Sequence, residues 1–227
     1  MNKTIVITGG SDGLGKTLTE DLAKDNKVII LSNDKAKLQA VAKENNCDYF
    51  FCDVSNYYEV EKTMKELINK YPKIDVLINN AGIWIQDELD QNEADRIKRV
   101  IEVNLLGTIN MIKTVIPNMK INKEGLIINI NSQNGINFKA ERSVYGASKW
   151  GVTGLTKSLQ IELAKYGIRV TDVMPGLMKT DLFKKANVER NIDNGLNPKE
   201  AAKLIRFIID TPKDVFIPEV GIKNINY

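Results

Sequence analysis

The chain has 227 residues, 43% hydrophobic and 27% charged, the size and balance of one α/β domain able to bury a sizeable core. Its net charge of +3 is too small to point to nucleic acid or a charged surface as partner. Histidine is absent, which removes Ser-His-Asp and Cys-His nucleophilic catalysis and every histidine-based zinc site, so proton chemistry falls to Tyr, Lys, Asp, Glu or Cys.

Short apolar runs alternate with amphipathic segments of helical length. The chain begins with a strand over residues 4–8, which leaves no room for a signal peptide. There follow a helix over 14–25, a strand over 27–31, a helix over 35–44, a strand over 48–52, a helix over 57–71 and a strand over 74–79. A long helix over 93–119 breaks near Asn104-Leu-Leu-Gly107. After it come a strand over 125–131, a helix over 144–165, a strand over 169–174, a helix over 198–209 and a strand over 215–217. Strand-helix alternation implies right-handed crossovers, hence a doubly wound, mostly parallel seven-stranded sheet with helices on both faces. With no repeat, low-complexity tract or linker, residues 1–227 read as a single domain. No run of about 18 apolar residues appears, so no membrane span is expected. Cys47 and Cys52 read as buried, reduced thiols rather than a disulfide or metal site, and the protein is expected in the cytoplasm.

Ligands of such sheets bind beyond the carboxyl ends of the strands. Polar and glycine signals gather there: Thr8-Gly9 after the first strand, Asn79-Asn80 after the fourth, Ser132 after the fifth and Pro175-Gly176 after the sixth. Thr8-Gly-Gly-Ser-Asp-Gly-Leu-Gly15 lies between the first strand and first helix, where glycines permit positive φ and let the backbone approach a pyrophosphate that the helix N-terminus attracts.

Tyr145-Gly-Ala-Ser-Lys149 sets a phenol and an ammonium one helical turn apart, on one helix face. A free tyrosine titrates near 10, and a neighbouring Lys⁺ favours the phenolate, which would bring it toward the working range. Tyr58 and Lys62 share the spacing and read as a solvated face, because no comparable strand and serine precede them; Ser132 lies thirteen residues before Tyr145, just past Leu126-Ile-Ile-Asn-Ile130.

In order and spacing, Gly9, Gly13 and Gly15, Asn79-Asn-Ala-Gly82, Asn104, Ser132, Tyr145-x-x-x-Lys149 and Pro175-Gly176 with Thr180 resemble the short-chain dehydrogenase/reductase family over nearly the whole chain. The resemblance implies a Rossmann-type fold and reversible hydride transfer between NADP or NAD and a small carbonyl or alcohol. It implies catalytic roles for Ser132, which would bond the substrate oxygen, for Tyr145 as proton donor or acceptor, for Lys149, which would tune Tyr145 and bind the ribose, and for Asn104, which would bend its helix and help hold a relay water. It further implies cofactor contacts from Thr8, Gly9, Ser11, Asp12, Gly13, Leu14 and Gly15, from Ser32 and Asn33, from Asp53 and Val54, from Asn80, Ala81 and Gly82, from Tyr145 and Lys149, and from Pro175, Gly176 and Thr180. Several have a plainer reading: Ser132 as a turn serine, Asp53 as cap of the helix near Tyr57, Thr180 as a helix cap.

Ser32 stands where a carboxylate would grip the ribose 2′-hydroxyl, and Ser32, Asn33 and Lys35 suit a 2′-phosphate, so NADP(H) is preferred although Asp12 would repel the phosphate. The tail from Pro198 to Pro218 resembles a subgroup acting on small 3-oxo or 3-hydroxy acids, and residues 177–197 would form a short substrate lid lined by Leu177, Met178, Leu182 and Phe183. Arg142 and Lys139, just ahead of Tyr145, could meet an acidic substrate, with solvated surface charge as the plainer reading; Trp84 and Trp150 read as packing residues, Trp84 following Gly82-Ile83 closely enough to reach the site rim. Val152, Leu155, Leu159 and Leu163 form an apolar stripe that, with the family's habit of pairing this helix, predicts a homodimer or homotetramer. The rivals are a reductase of 3-oxoacyl groups on a carrier protein, a non-catalytic cofactor sensor, and a Rossmann-type methyltransferase, which leaves Tyr145-x-x-x-Lys149 unexplained.

Overall fold

A computed structural model describes residues 2–226. The strands are β1 (Thr4–Thr8), β2 (Lys27–Ser32), β3 (Asp48–Phe51), β4 (Val76–Asn79), β5 (Gly125–Ile130), β6 (Ile168–Pro175) and β7 (Glu219–Ile222), hydrogen-bonded in the order β3-β2-β1-β4-β5-β6-β7. Every pairing is parallel, so the sheet is fully rather than mostly parallel. The helices are α1 (Gly13–Leu22), α2 (Lys35–Glu44), α3 (Tyr57–Lys70), α4 (Ala94–Ile101), α5 (Gly107–Asn122), α6 (Ser143–Ala164), α7 (Leu182–Lys185) and α8 (Pro198–Asp210).

The period-2 alternation of strand side chains divides the core between the two faces. Ile5, Ile7, Val28, Ile30, Ile78 and Ile128 pack under α1, α2 and α8, while Val6, Ile29, Leu31, Leu77 and Ile127 pack under α3, α5 and α6. Both faces are covered, which is why these strands read as unbroken apolar runs. The continuous helical stretch Ala94–Asn122 is long and apolar enough to cross a membrane by length and composition alone, contrary to the expectation; here Met111, Ile112, Val115 and Met119 pack it onto the sheet.

Two expectations need correction. The last strand is Glu219–Ile222, paired with Asp172–Pro175, not residues 215–217. Val215 and Phe216 are exposed, and Pro212 and Pro218 bracket the segment, whose carbonyls are taken by Arg169 at Val215 (2.7 Å) and Thr171 at Ile217 (2.7 Å). Second, Val152, Leu159 and Leu163 are buried and Leu155 packs beside them, so that stripe faces this chain's own sheet.

Candidate active site

The loop after β1 is shaped by glycine. Gly9 and Gly13 hold φ of +63° and +50°, and a Cβ at Gly15 would stand 2.1 Å from the Gly9 carbonyl oxygen. Thr8 and Asn80 tie this loop to the end of β4. The Thr8 hydroxyl accepts from the backbone N–H of Asn80 and Ala81, each at 3.0 Å, and the Asn80 amide donates to the carbonyls of Thr8 (3.0 Å) and Gly9 (3.1 Å). Asp12 caps α1 by accepting from Gly13 N–H at 2.7 Å, which leaves other amides at the helix start free to meet an anion.

Asp12 also bonds the ammoniums of Lys37 on α2 and Lys185 on α7. Burial pushes its carboxyl up, but the bonds from Lys185 and Lys37 outweigh that and hold it at about 2. The expected repulsion of a phosphate by Asp12 is therefore answered by two cations paired directly with it. Lys37 lines the cleft; Lys35, named from sequence, does not. Ser32 accepts from the Ser11 hydroxyl (2.9 Å) and Asp34 N–H (3.1 Å), which leaves its own O–H to donate.

Asp53 is no helix cap: Asn56 caps α3, accepting from Tyr58 and Glu59 N–H. The Asp53 carboxylate instead takes the Ser55 hydroxyl at 2.7 Å and Arg99 at 2.6 Å, and these hold its pKa below the ordinary value although burial pushes it up. Nor is Thr180 the cap of α7, which is Asp181; Thr180 lines the cleft beside Gly13.

The break in the long helix is a π-turn, Glu102–Leu106, and Asn104 sits in it. Its amide grips the backbone of Ile83 from both sides, accepting from N–H at 2.8 Å and donating to C=O at 3.0 Å, and also donates to the Ser148 hydroxyl at 3.1 Å. Ser148 in turn donates to the Tyr145 carbonyl at 2.7 Å, so Asn104 braces the first turns of α6. Ser132 is the turn serine its plainer reading gave: its oxygen caps the 3-10 turn Gln133–Gly135 by accepting from Asn134 N–H, and it also hydrogen-bonds Tyr145.

Tyr145 is 5% exposed, its ring centroid 4.2 Å from that of Trp84. Burial pushes its phenol up to about 12, moderated by the Ser132 hydrogen bond and the Arg142 charge. The expected pull by Lys149 is not what acts here. The Lys149 ammonium lies 5.8 Å from the Tyr145 ring and donates to the Ile130 carbonyl at 2.9 Å. Burial brings Lys149 down to about 8, partly opposed by the negative charge of Asp172. Asp172, itself 2% exposed, is pushed up to about 6 by burial and accepts from Asn131 at 2.9 Å, while Asn131 also donates to Thr153 of α6 at 2.8 Å. This pair escaped sequence reading; the available signal was a carboxylate inside the apolar run of β6.

These groups share one cleft of about 610 Å³ that runs from the glycine loop and Ser32 past Asp53, Val54 and Gly82 to Ser132, Tyr145, Lys149, Pro175 and Gly176. Segment 177–197 closes its far side, with Leu177, Phe183 and Ala186 packed with Trp84 and Tyr145. Trp150, by contrast, is exposed and stacks on Phe138 at 5.4 Å.

The family model of the short chain dehydrogenases matches residues 3–191. The chain belongs to that family. It is an oxidoreductase of the alcohol/carbonyl pair. Carbonyl reductase family member 4 of Xenopus tropicalis is 35% identical over 219 residues, covering 93% of each chain. Among solved structures, a closed form of serine dehydrogenase complexed with NADP+ superposes with a TM-score of 0.93 at 27% identity, covering 99% of this chain and 96% of that one. The 3-ketoacyl-(acyl-carrier-protein) reductase of Brucella melitensis complexed with NADH gives 0.89 at 28% identity, covering 98% and 97%.

Proposed function

We propose that this chain transfers hydride reversibly between NADP(H), in preference to NAD(H), and a ketone or secondary alcohol, with Tyr145 as general acid or base. The observation that carries this reading is the buried Tyr145 phenol, bonded to Ser132 beside Lys149, at the opposite end of one cleft from a loop no side chain could fill at Gly15. The cleft fits a dinucleotide: the loop amides and α1 N-terminus would hold its pyrophosphate, Asp53 its adenine, and Lys149 its nicotinamide ribose. When bound, the nicotinamide supplies or takes the hydride. Ser132 then stabilises charge growing on the substrate oxygen, and Tyr145, protonated at neutral pH, delivers the proton to it in reduction. Residues 177–197 act as the lid. The small 3-oxo acids suggested by the tail fall within this class.

Reduction of a panel of ketones, aldehydes and 3-oxo acids, followed by absorbance of NADPH and then NADH, tests the reading; no turnover with either cofactor refutes it. Activity confined to carrier-linked thioesters would instead favour the 3-oxoacyl carrier-protein reductase, the chemistry named for the Brucella relative. A cofactor sensor would have no use for a phenol held in this geometry.

Cofactor choice is tested separately. Ser32→Asp would set a carboxylate against a 2′-phosphate, and selectivity by kcat/KM should swing toward NADH by about 10- to 100-fold, roughly 1.4–2.8 kcal/mol. A wild-type preference for NADH overturns the assignment.

The oligomer needs a new basis, since the α6 stripe is internal. We place the contact on the outer faces of α5 and α6, where Ile121 and Ile161 are 82% and 83% exposed. A homodimer or homotetramer is expected, and a light-scattering mass of 25.5 kDa at micromolar concentration would refute it.

A further inference from the structure

Arg142 stands at the N-terminus of α6, three residues before Tyr145, where the sequence left solvated charge and contact with an acidic substrate both open. In the structure it is half-buried in the cleft, its guanidinium 5.2 Å over the Trp84 ring. No described carboxylate forms an ion pair with it. Trp84 lies between Tyr145 (4.2 Å) and Phe183 of α7 (4.8 Å, edge-on), and the guanidinium of Arg190 sits 4.8 Å over Phe183. Arg96, which bonds the Ala186 carbonyl at 3.1 Å, lines the same end.

Of the carboxylates lining the cleft, Asp12, Asp34 and Asp53 belong to its other end, while Asp181 stands at the start of α7. Asp12, Asp34 and Asp181 act on Lys37 beside the glycine loop, and Asp53 is paired with Arg99. The end that holds Tyr145 therefore presents the Arg142 guanidinium, preorganised, weakly hydrated and stacked on an aromatic face. A half-buried cation with no counter-ion among the described residues is poised for an anionic ligand, since a carboxylate would give its guanidinium charge-assisted hydrogen bonds.

We propose that Arg142 forms an anion subsite for the substrate's carboxylate, so that the preferred substrates are small oxo and hydroxy acids rather than neutral ketones. The proposal rests on the oxidoreductase reading above. Arg142 lies less than one helical turn before Tyr145, so the anion must sit only a few atoms from the reacting carbonyl. That reach suits the carboxylate of a short oxo acid and not a carrier-linked thioester, which has no charge so near its ketone.

The test uses matched pairs: 2-, 3- and 4-oxo acids against their methyl esters, with wild type, Arg142→Gln and Arg142→Lys. Wild type should favour the acid of at least one pair by about tenfold or more in kcat/KM. Arg142→Gln should cut that acid-over-ester ratio at least tenfold, mainly through KM for the acid, while Arg142→Lys restores part of it. Butyrate should inhibit ester reduction competitively in wild type and at least tenfold more weakly in Arg142→Gln. Equal loss on acid and ester would mean that Arg142 acts only on Tyr145, and overturns the subsite. Ester turnover with no acid preference overturns it too, but leaves the oxidoreductase reading standing. No turnover of either member with either cofactor overturns both.

Discussion

Tyr145→Phe will lower kcat by about three orders of magnitude and leave cofactor affinity within a few-fold of wild type, because only the proton donor is lost and general acid catalysis is worth roughly 10²–10⁴-fold. The ring stays, so the packing on Trp84 at 4.2 Å is kept and the effect is chemical rather than structural. Lys149→Ala should damage both kcat and cofactor affinity, since the ammonium would also hold the ribose. The pH dependence separates the two groups. Lys149 is held at about 8 and Tyr145 at about 12, so as pH rises the first charge to disappear is that of Lys149. kcat/KM for reduction, which reports the free enzyme, should therefore fall as pH rises through about 8. Lys149→Ala should lose that limb while keeping a residual, flatter rate. Near wild-type turnover by Tyr145→Phe on any carbonyl substrate would defeat the mechanism.

How much of this was legible depended on how local each signal is. Tyr145 and Lys149 share a helix face by spacing alone, and Gly9, Gly13 and Gly15 announce a loop that must bring backbone close to backbone; both readings need only neighbouring residues. The break at Asn104 was equally local. What escaped was set by partners distant in sequence. Asp53 stayed open between an adenine contact and a helix cap because nothing nearby names Arg99, 46 residues on, as its partner. Val152, Leu159 and Leu163 announced an apolar face, but periodicity cannot say whether a sheet or a second subunit covers it. Val215-Phe-Ile217 outweighed the true β7 because apolarity was weighed above the prolines on either side and above the side chains of Arg169 and Thr171 that take its carbonyls. The phenol's pKa erred for the same reason: proximity of Lys149 was visible, but burial, which proved the larger effect, is a property of the packed molecule.

Gly15→Ala should abolish tight cofactor binding while leaving the catalytic end intact. A Cβ there would meet the Gly9 carbonyl oxygen at 2.1 Å, the Gly9 carbonyl carbon at 2.8 Å and the Asn80 amide nitrogen at 2.5 Å. Two of these three are backbone, and the third is fixed by bonds to the Thr8 and Gly9 carbonyls, so no flexible side chain can yield. The methyl must push α1 away from the loop, a displacement of the kind that costs about 1–3 kcal/mol in a packed interior. Because Gly15 does not rely on positive φ, the conflict is purely steric, unlike that at Gly9 or Gly13. If the loop amides and the α1 N-terminus together cradle the pyrophosphate, most of that cost appears as lost affinity, about 100-fold in Kd for NADPH by fluorescence titration. The melting temperature should fall by a few degrees, and kcat at saturating cofactor should stay within a few-fold, since Ser132 follows β5 and Tyr145 and Lys149 stand on α6, away from the strained turn. A variant that binds NADPH as wild type does would show that the glycine loop is only a tight turn.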